Sequence, residues 1–117
     1  MFTGIIQEKG KVIDFSRGIL EISTNLDLSD CKLGSSICCN GVCLTATEIN
    51  FVNNSYQFKT NVGEETMIRT TFSENLFKKM KPINLEKSLK IGDEISGHFV
   101  YGHVDRTTKL LKISKLN

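Results

Sequence analysis

The stretch that most narrows what this chain can become is residues 36–49, SICCNGVCLTATEI. An Asn-Gly pair between two strand-like runs is a strong short-range hairpin signal, because both residues accept the positive φ of a type I′ turn. Counting outward from Asn40-Gly41 pairs Cys39 with Val42, Cys38 with Cys43, Ile37 with Leu44 and Ser36 with Thr45. Side chains alternate along a strand, so Ser36, Cys38, Cys43, Thr45 and Thr47 share one face. Ile37, Cys39, Val42, Leu44 and Ala46 share the other, which is apolar and belongs against a core. The first face is a row of small hydrogen-bonding groups.

Four readings compete for that polar row. Serine and threonine are common on wet strand faces, so a solvated surface is the simplest. A metal site fits poorly: zinc thiolates are spaced C-x2–4-C, whereas Cys38 and Cys39 are adjacent and point opposite ways. His98 and His103 would have to complete a set through folding alone. Cys38 and Cys43, directly opposed, are placed to bridge under oxidation, but a reducing cytosol argues against a standing bond. The fourth reading is a pocket in which small residues leave room for a flat molecule and hydroxyls meet its polar edges. Periodicity alone does not separate the wet face from the pocket.

Most other segments also carry strand signals, with β-branched residues, alternation and closely spaced turns. GIIQ leads through Gly10 to KVIDF, which reads as a hairpin, and GILEIST follows the Ser16-Arg17-Gly18 turn. SYQFKTNV places Tyr56, Phe58, Thr60 and Val62 on one face. EISGHFVYGHV and TTKLLKISKL read as the final strands. One helix is expected over TTFSENLFKKM, where Leu76, Phe77 and Met80 fall at helical spacing, Ser73 caps the start and Pro82 ends it. Short strands at this spacing with one short helix favour an all-β, small closed barrel; an open sandwich is the second choice.

The bulk numbers set outer limits. At 117 residues the chain is most simply one domain, spanning 1–117, with enough length to bury a core. A net charge of +2 gives no argument for nucleic acid or an anionic membrane. No apolar run approaches the roughly 18 residues of a membrane span. The opening MFTGIIQEKG lacks the basic-then-apolar layout of a secretory signal, so a cytoplasmic location with reduced cysteines is the default expectation.

Five segments in order carry a resemblance: MFTGIIQ, NGVCLT, EETMIRTTF, INLEKSLKIGDEISGH and GHFVYGHVD. Together they resemble riboflavin synthase of the α-chain type from Met1 to about Asp105. The resemblance implies a six-stranded closed Greek-key β-barrel that binds one pterin-like ligand. Members of that family carry two such barrels in tandem and a trimerising C-terminal helix; this chain resembles the N-terminal barrel. The implied activity is a transferase reaction in riboflavin biosynthesis. Two molecules of 6,7-dimethyl-8-ribityllumazine dismutate to riboflavin and 5-amino-6-ribitylaminouracil. The implied ligands are a pteridine and a flavin, with no metal and no redox cofactor. Homo-oligomers are implied, trimeric for a full-length member and dimeric for a lone barrel, with neither nucleic acid nor membrane as partner.

Carried over by position, the resemblance assigns Gly4, Ile5 and Ile6 to contacts along the ring. Cys43, Leu44 and Thr45 line the pocket, and the segment Asn61, Val62, Gly63, Glu64, Glu65 and Thr66 wraps the ligand. Gly102, His103 and Val104 close it. His103, Cys43, Ser36 and Phe2 are the implied catalytic positions, with Phe2 reaching a neighbouring barrel's site and His103 near the reacting ring as a proton carrier. His98 reads as structural, Asp105 as a turn residue, Cys31 and Cys39 as small apolar fillers, and FKKMK as a solvated helix face. A non-catalytic lumazine or flavin carrier is the alternative. An oligonucleotide-binding barrel is more distant, since Tyr56 and Tyr101 are the only aromatics other than Phe.

Overall fold

A computed structural model describes residues 1–78 and 80–117. Six strands form a closed antiparallel barrel: β1 (Glu8–Ser16), β2 (Ile19–Thr24), β3 (Ser36–Cys39), β4 (Val42–Val52), β5 (Ser55–Asn61) and β6 (Pro82–Lys87). Their order around the barrel is β1-β2-β5-β4-β3-β6, a Greek-key path that closes by pairing β6 with β1. Three two-residue turns of positive φ set the hairpins: Arg17-Gly18 (53° and 76°), Asn40-Gly41 (48° and 83°) and Asn53-Asn54 (51° and 65°). These turns match the right-handed twist of the strands they join, which is why Asn and Gly recur there. The register at Asn40-Gly41 is the one counted from the sequence, with Ser36 opposite Thr45 and Cys38 opposite Cys43.

Inward-facing Val12, Leu20, Ile22, Ile37, Cys39, Leu44, Phe58, Ile83 and Leu85 fill the core. Burial of such side chains is the main driving force for closure, about 1.5–3 kcal/mol each. Bulges between Val12 and Asp14 and between Ala46 and Glu48 bend the strands around the barrel. Gly10 sits where β1 crosses between β2 and β6. A Cβ there would lie 2.5 Å from Ile22 Cγ2 and 2.8 Å from Leu85 Cδ1. Only glycine lets the strands approach this closely.

That packing corrects the expected hairpin at Gly10: the chain runs straight through it as one strand, because the turn signal there was a close-approach signal. The helix lies elsewhere too. It is α1 (Glu64–Arg69), with acidic residues in its first turn and Arg69 in its last, as a helix dipole favours. Within the expected 70–80 helix, Ser73 does cap one turn, its Oγ accepting from Leu76 N at 3.1 Å and its carbonyl from Phe77 N at 3.0 Å. The turn is not extended, because Phe77 is drawn into an aromatic cluster with Phe15 and Phe72, at centroid distances of 4.7 and 4.8 Å. Among the described residues of FKKMK none is helical; Phe77 is buried, Lys78 and Lys81 are exposed, and Lys79 lies outside the described residues.

The last expected strands are also corrected. The sixth barrel strand is PINLEK, opening at Pro82, whereas residues 88–117 contain no strand. Pro82 takes the first position of a strand, where a missing amide is tolerated. Once β6 has paired with both β1 and β3, the barrel has no free edge for EISGHFVYGHV or TTKLLKISKL. Among the described residues no helix is long and apolar enough to cross a membrane.

Candidate functional site

The polar face of the β3–β4 hairpin is wet at one end and roofed at the other. Thr45 and Thr47 are exposed, whereas Cys38 is only 5% exposed although it points away from the core. Two segments make the roof. Residues 1–4 cross the outside of β6, where Glu86 accepts hydrogen bonds from Thr3 N (2.7 Å), Thr3 Oγ1 (3.0 Å) and Gly4 N (3.0 Å). The Glu86 side chain is 3% exposed, and these three donors satisfy what would otherwise be a costly buried carboxylate. Residues 98–102 then pair with that N-terminal segment. Phe2 and Val100 exchange N–H···O bonds of 2.7 and 2.9 Å, and His98 N donates to Thr3 O at 3.1 Å.

The second segment continues onto the hairpin itself. Cys43 N donates to Gly102 O at 2.8 Å, so Gly102 lies flat on β4. Its φ of 75° and the 2.9 Å that would separate a Cβ from Cys43 N both demand glycine. Beside this crossing, α1 approaches from the end of β5 and leaves an open-mouthed cavity of ≈ 310 Å³. That is at the lower end of the size of small-molecule sites.

The cavity gathers six of the expected residues: Cys43, Glu65, Thr66, Gly102, His103 and Val104. Val42, Arg69, Thr70 and Asp105 complete its lining and were not singled out as site residues beforehand. Arg69 and Glu65 form an i,i+4 ion pair at 2.9 Å, so reading a helix at EETMIR would have flagged Arg69. Asp105, read as a turn residue, sits at the mouth next to the exposed His103. Together the walls offer a thiol, the Thr66 hydroxyl, an imidazole, the Asp105 carboxylate and a guanidinium–carboxylate pair around an apolar valine edge, while the Thr70 hydroxyl is bonded to Thr66 O and Phe72 N. Such a set suits a planar heterocycle with several polar edges better than an aliphatic guest.

The other expected residues lie apart from this cavity. Ile5 lines a neighbouring groove with Thr3 and Glu86, and Ser36 a third one with Cys31 and Lys87. Gly4 is held by Glu86, and Ile6 is exposed. Thr45, Asn61, Gly63 and Glu64 are exposed, whereas Leu44 and Val62 point into the core. Phe2 is 0% exposed within this chain, its backbone paired with Val100 in the roof. His98 contributes its backbone to the roof while its side chain is exposed.

Electrostatics separate the thiols. Burial, then the charge of Glu86 and the neighbouring Cys43, push the Cys38 thiol up to about 11. Cys39, facing the core, is pushed up further by complete burial. Cys31 is raised by burial and by Asp30 beside it.

A closed Greek-key barrel, roofed on one outer wall by its own chain so that a cleft remains against β4, defines a compact class of single-barrel domain. Residues 3–88 match the family described as Lumazine binding domain. The chain belongs to the lumazine-binding domain family. It is 41% identical over 117 residues to the riboflavin synthase of Brucella abortus (strain 2308), covering 96% of this chain and 57% of that protein. It is 37% identical over 119 residues to the riboflavin synthase of Bacillus subtilis (strain 168), covering 98% and 53%. The chain thus spans about half the length of the curated relatives it matches. Among solved structures it is similar in fold to LumP complexed with 6,7-dimethyl-8-(1'-D-ribityl) lumazine. There the TM-score is 0.64 and the identity 20%, over 91% of this chain and 58% of that one.

Proposed function

We propose that this chain is one barrel of a riboflavin synthase, binding 6,7-dimethyl-8-ribityllumazine and riboflavin in the cavity beside Cys43, Thr66 and His103. The observation that carries the reading is the meeting, in one cavity of a lumazine-binding barrel, of three segments far apart in sequence: Cys43, Glu65–Thr66 and Gly102–Val104. They fall in NGVCLT, EETMIRTTF and GHFVYGHVD, three of the five segments that carry the resemblance to riboflavin synthase described above.

The reaction transfers a four-carbon unit from one lumazine to a second. The lumazine C7 methyl group is acidic through conjugation into its own ring system, so the protein's task is mainly to hold two rings in register and to move protons. Backbone at Gly102 and the small Cys43 side chain leave a flat wall for one ring. His103, exposed at the mouth, is the proton carrier. Thr66 meets the polar edge, backed by Thr70, whose hydroxyl donates to Thr66 O and accepts from Phe72 N, and the Glu65–Arg69 pair can exchange its partners for the ligand's carbonyls or ribityl hydroxyls. Such chemistry requires no metal and no redox cofactor. Because one cavity holds one ring, turnover requires two cavities to face each other, through a second barrel or a two-fold pairing of two copies.

Fluorescence titration of the chain with each ligand tests binding, and formation of riboflavin from the lumazine tests turnover. Quenching at micromolar protein with slow turnover is expected; absence of quenching with both ligands would reject the assignment. Binding with no turnover at any protein concentration would instead identify a carrier.

A further inference from the structure

Cys38 and Cys43 stand opposite each other on the roofed face, and their pair is of a particular kind. Cys43 N–H donates to Gly102 O, hence away from β3, which makes Cys38–Cys43 a pair without mutual backbone hydrogen bonds. In such pairs the Cα atoms are only about 4.5 Å apart and the side chains lean toward each other. A disulfide accepts Cα separations from about 4.4 Å upward. Both thiols are free. Cys43 is partly exposed and lines the cavity, whereas Cys38 is buried. One thiol is therefore reachable by a small oxidant and the other waits behind it. Cys39 points to the opposite face and Cys31 belongs to a different groove, so neither competes.

We propose that Cys38 and Cys43 form an oxidation site in which a small peroxide reacts at Cys43 and Cys38 resolves the product to a disulfide. In the first step the Cys43 thiolate attacks the peroxide, forming an S–O bond, breaking the O–O bond and releasing hydroxide. In the second, the Cys38 sulfur attacks the Cys43 sulfenic sulfur. The S–O bond breaks, and the Cys38 proton joins the departing hydroxide as water. Two thiols and one hydrogen peroxide become one disulfide and two waters; a thiol reductant reverses the change. The bond swings the Cys43 sulfur out of the cavity toward β3 and ties the hairpin under Gly102.

The test begins with the full chain treated with hydrogen peroxide, denatured and alkylated. Two of the four thiols should be lost, with Cys31 and Cys39 carrying the alkyl label. Hydroxylamine cleavage at Asn40-Gly41 should then leave the two fragments joined until a reductant is added. Cys38→Ala should give no joined fragments and a Cys43 driven on to its sulfinic acid. Separated fragments from the native chain, an alkylated Cys38, or bridges only between chains would overturn the proposal. A second readout rests on the proposed function: oxidation should weaken riboflavin binding at least tenfold, reversibly. Failure of this arm alone, with the bridge formed, would count against the ligand assignment and leave the oxidation site standing.

Discussion

Thr3 and Glu86, 83 positions apart, are joined by two hydrogen bonds, from the Thr3 amide at 2.7 Å and its hydroxyl at 3.0 Å to the same carboxylate oxygen. This contact holds the N-terminal segment on the barrel, and that segment in turn holds residues 98–102 over β4. Glu86→Ala leaves the amides of Thr3 and Gly4 without their acceptor, a loss of about 1–3 kcal/mol. We expect the melting temperature to fall, amide exchange at Thr3, Gly4 and Val100 to accelerate, and ligand affinity to drop with it. Unchanged exchange at Val100 would show that the roof does not depend on Glu86.

Gly102→Ala tests the crossing at the cavity directly. A Cβ there meets Cys43 N at 2.9 Å in a backbone region that alanine avoids at a cost of about 1–2 kcal/mol. Loss of the Cys43 N–Gly102 O bond should show as rapid exchange of the Cys43 amide. Ligand affinity should fall more than global stability does.

Thr60 predicts a gain. Its hydroxyl is buried in the barrel, beside Leu20 and Ala46 in register, with no hydrogen-bond partner among the described residues. Thr60→Val keeps the shape and removes the orphaned group, and should raise stability by about 1 kcal/mol in urea denaturation. Destabilisation would mean that a partner for the hydroxyl exists in solution.

Acid stability has a specific expectation at Asp30. Hydrogen bonds from Lys90 and then Lys87 hold its carboxyl down to about 2. A depressed folded value stabilises above the unfolded value, about 3.9, and that contribution is lost as pH falls through about 2. Asp30→Asn should therefore be less stable than the native chain at pH 5–7, with the difference narrowing between pH 4 and 2. Because the Asp30 side chain is 34% exposed, raising salt should shrink the difference at every pH.

Cavity residues should separate binding from protonation. Thr66→Ala should weaken riboflavin about tenfold, the loss of one good hydrogen bond at about 1.4 kcal/mol. His103→Gln should leave binding within a few fold but lower turnover. Equal effects on both measurements would make His103 a binding group only.

Local chemistry was legible wherever it is set by neighbours along the chain. The Asn40-Gly41 register, the Arg17-Gly18 turn and the inward face of Tyr56, Phe58, Thr60 and Val62 each follow from φ preferences and alternation. The barrel follows from them, since so many short antiparallel strands need closure. Gly10 was misread because a turn and a close approach both demand the same residue. Pro82 was misread because the end of one element is also the start of the next.

Alternation told which side chains of the β3–β4 hairpin leave the core, and there its reach ended. Whether Cys38 and Cys43 meet water or a roof depends on Glu86 and Gly102, separated from them by half the chain. The cavity exists only because α1 and residues 102–105 converge on β4, a long-range arrangement bought by no local preference. Periodicity is a property of neighbouring residues and could be read directly. Enclosure is a property of segments brought together by closure of the barrel, and only the tertiary structure could decide it.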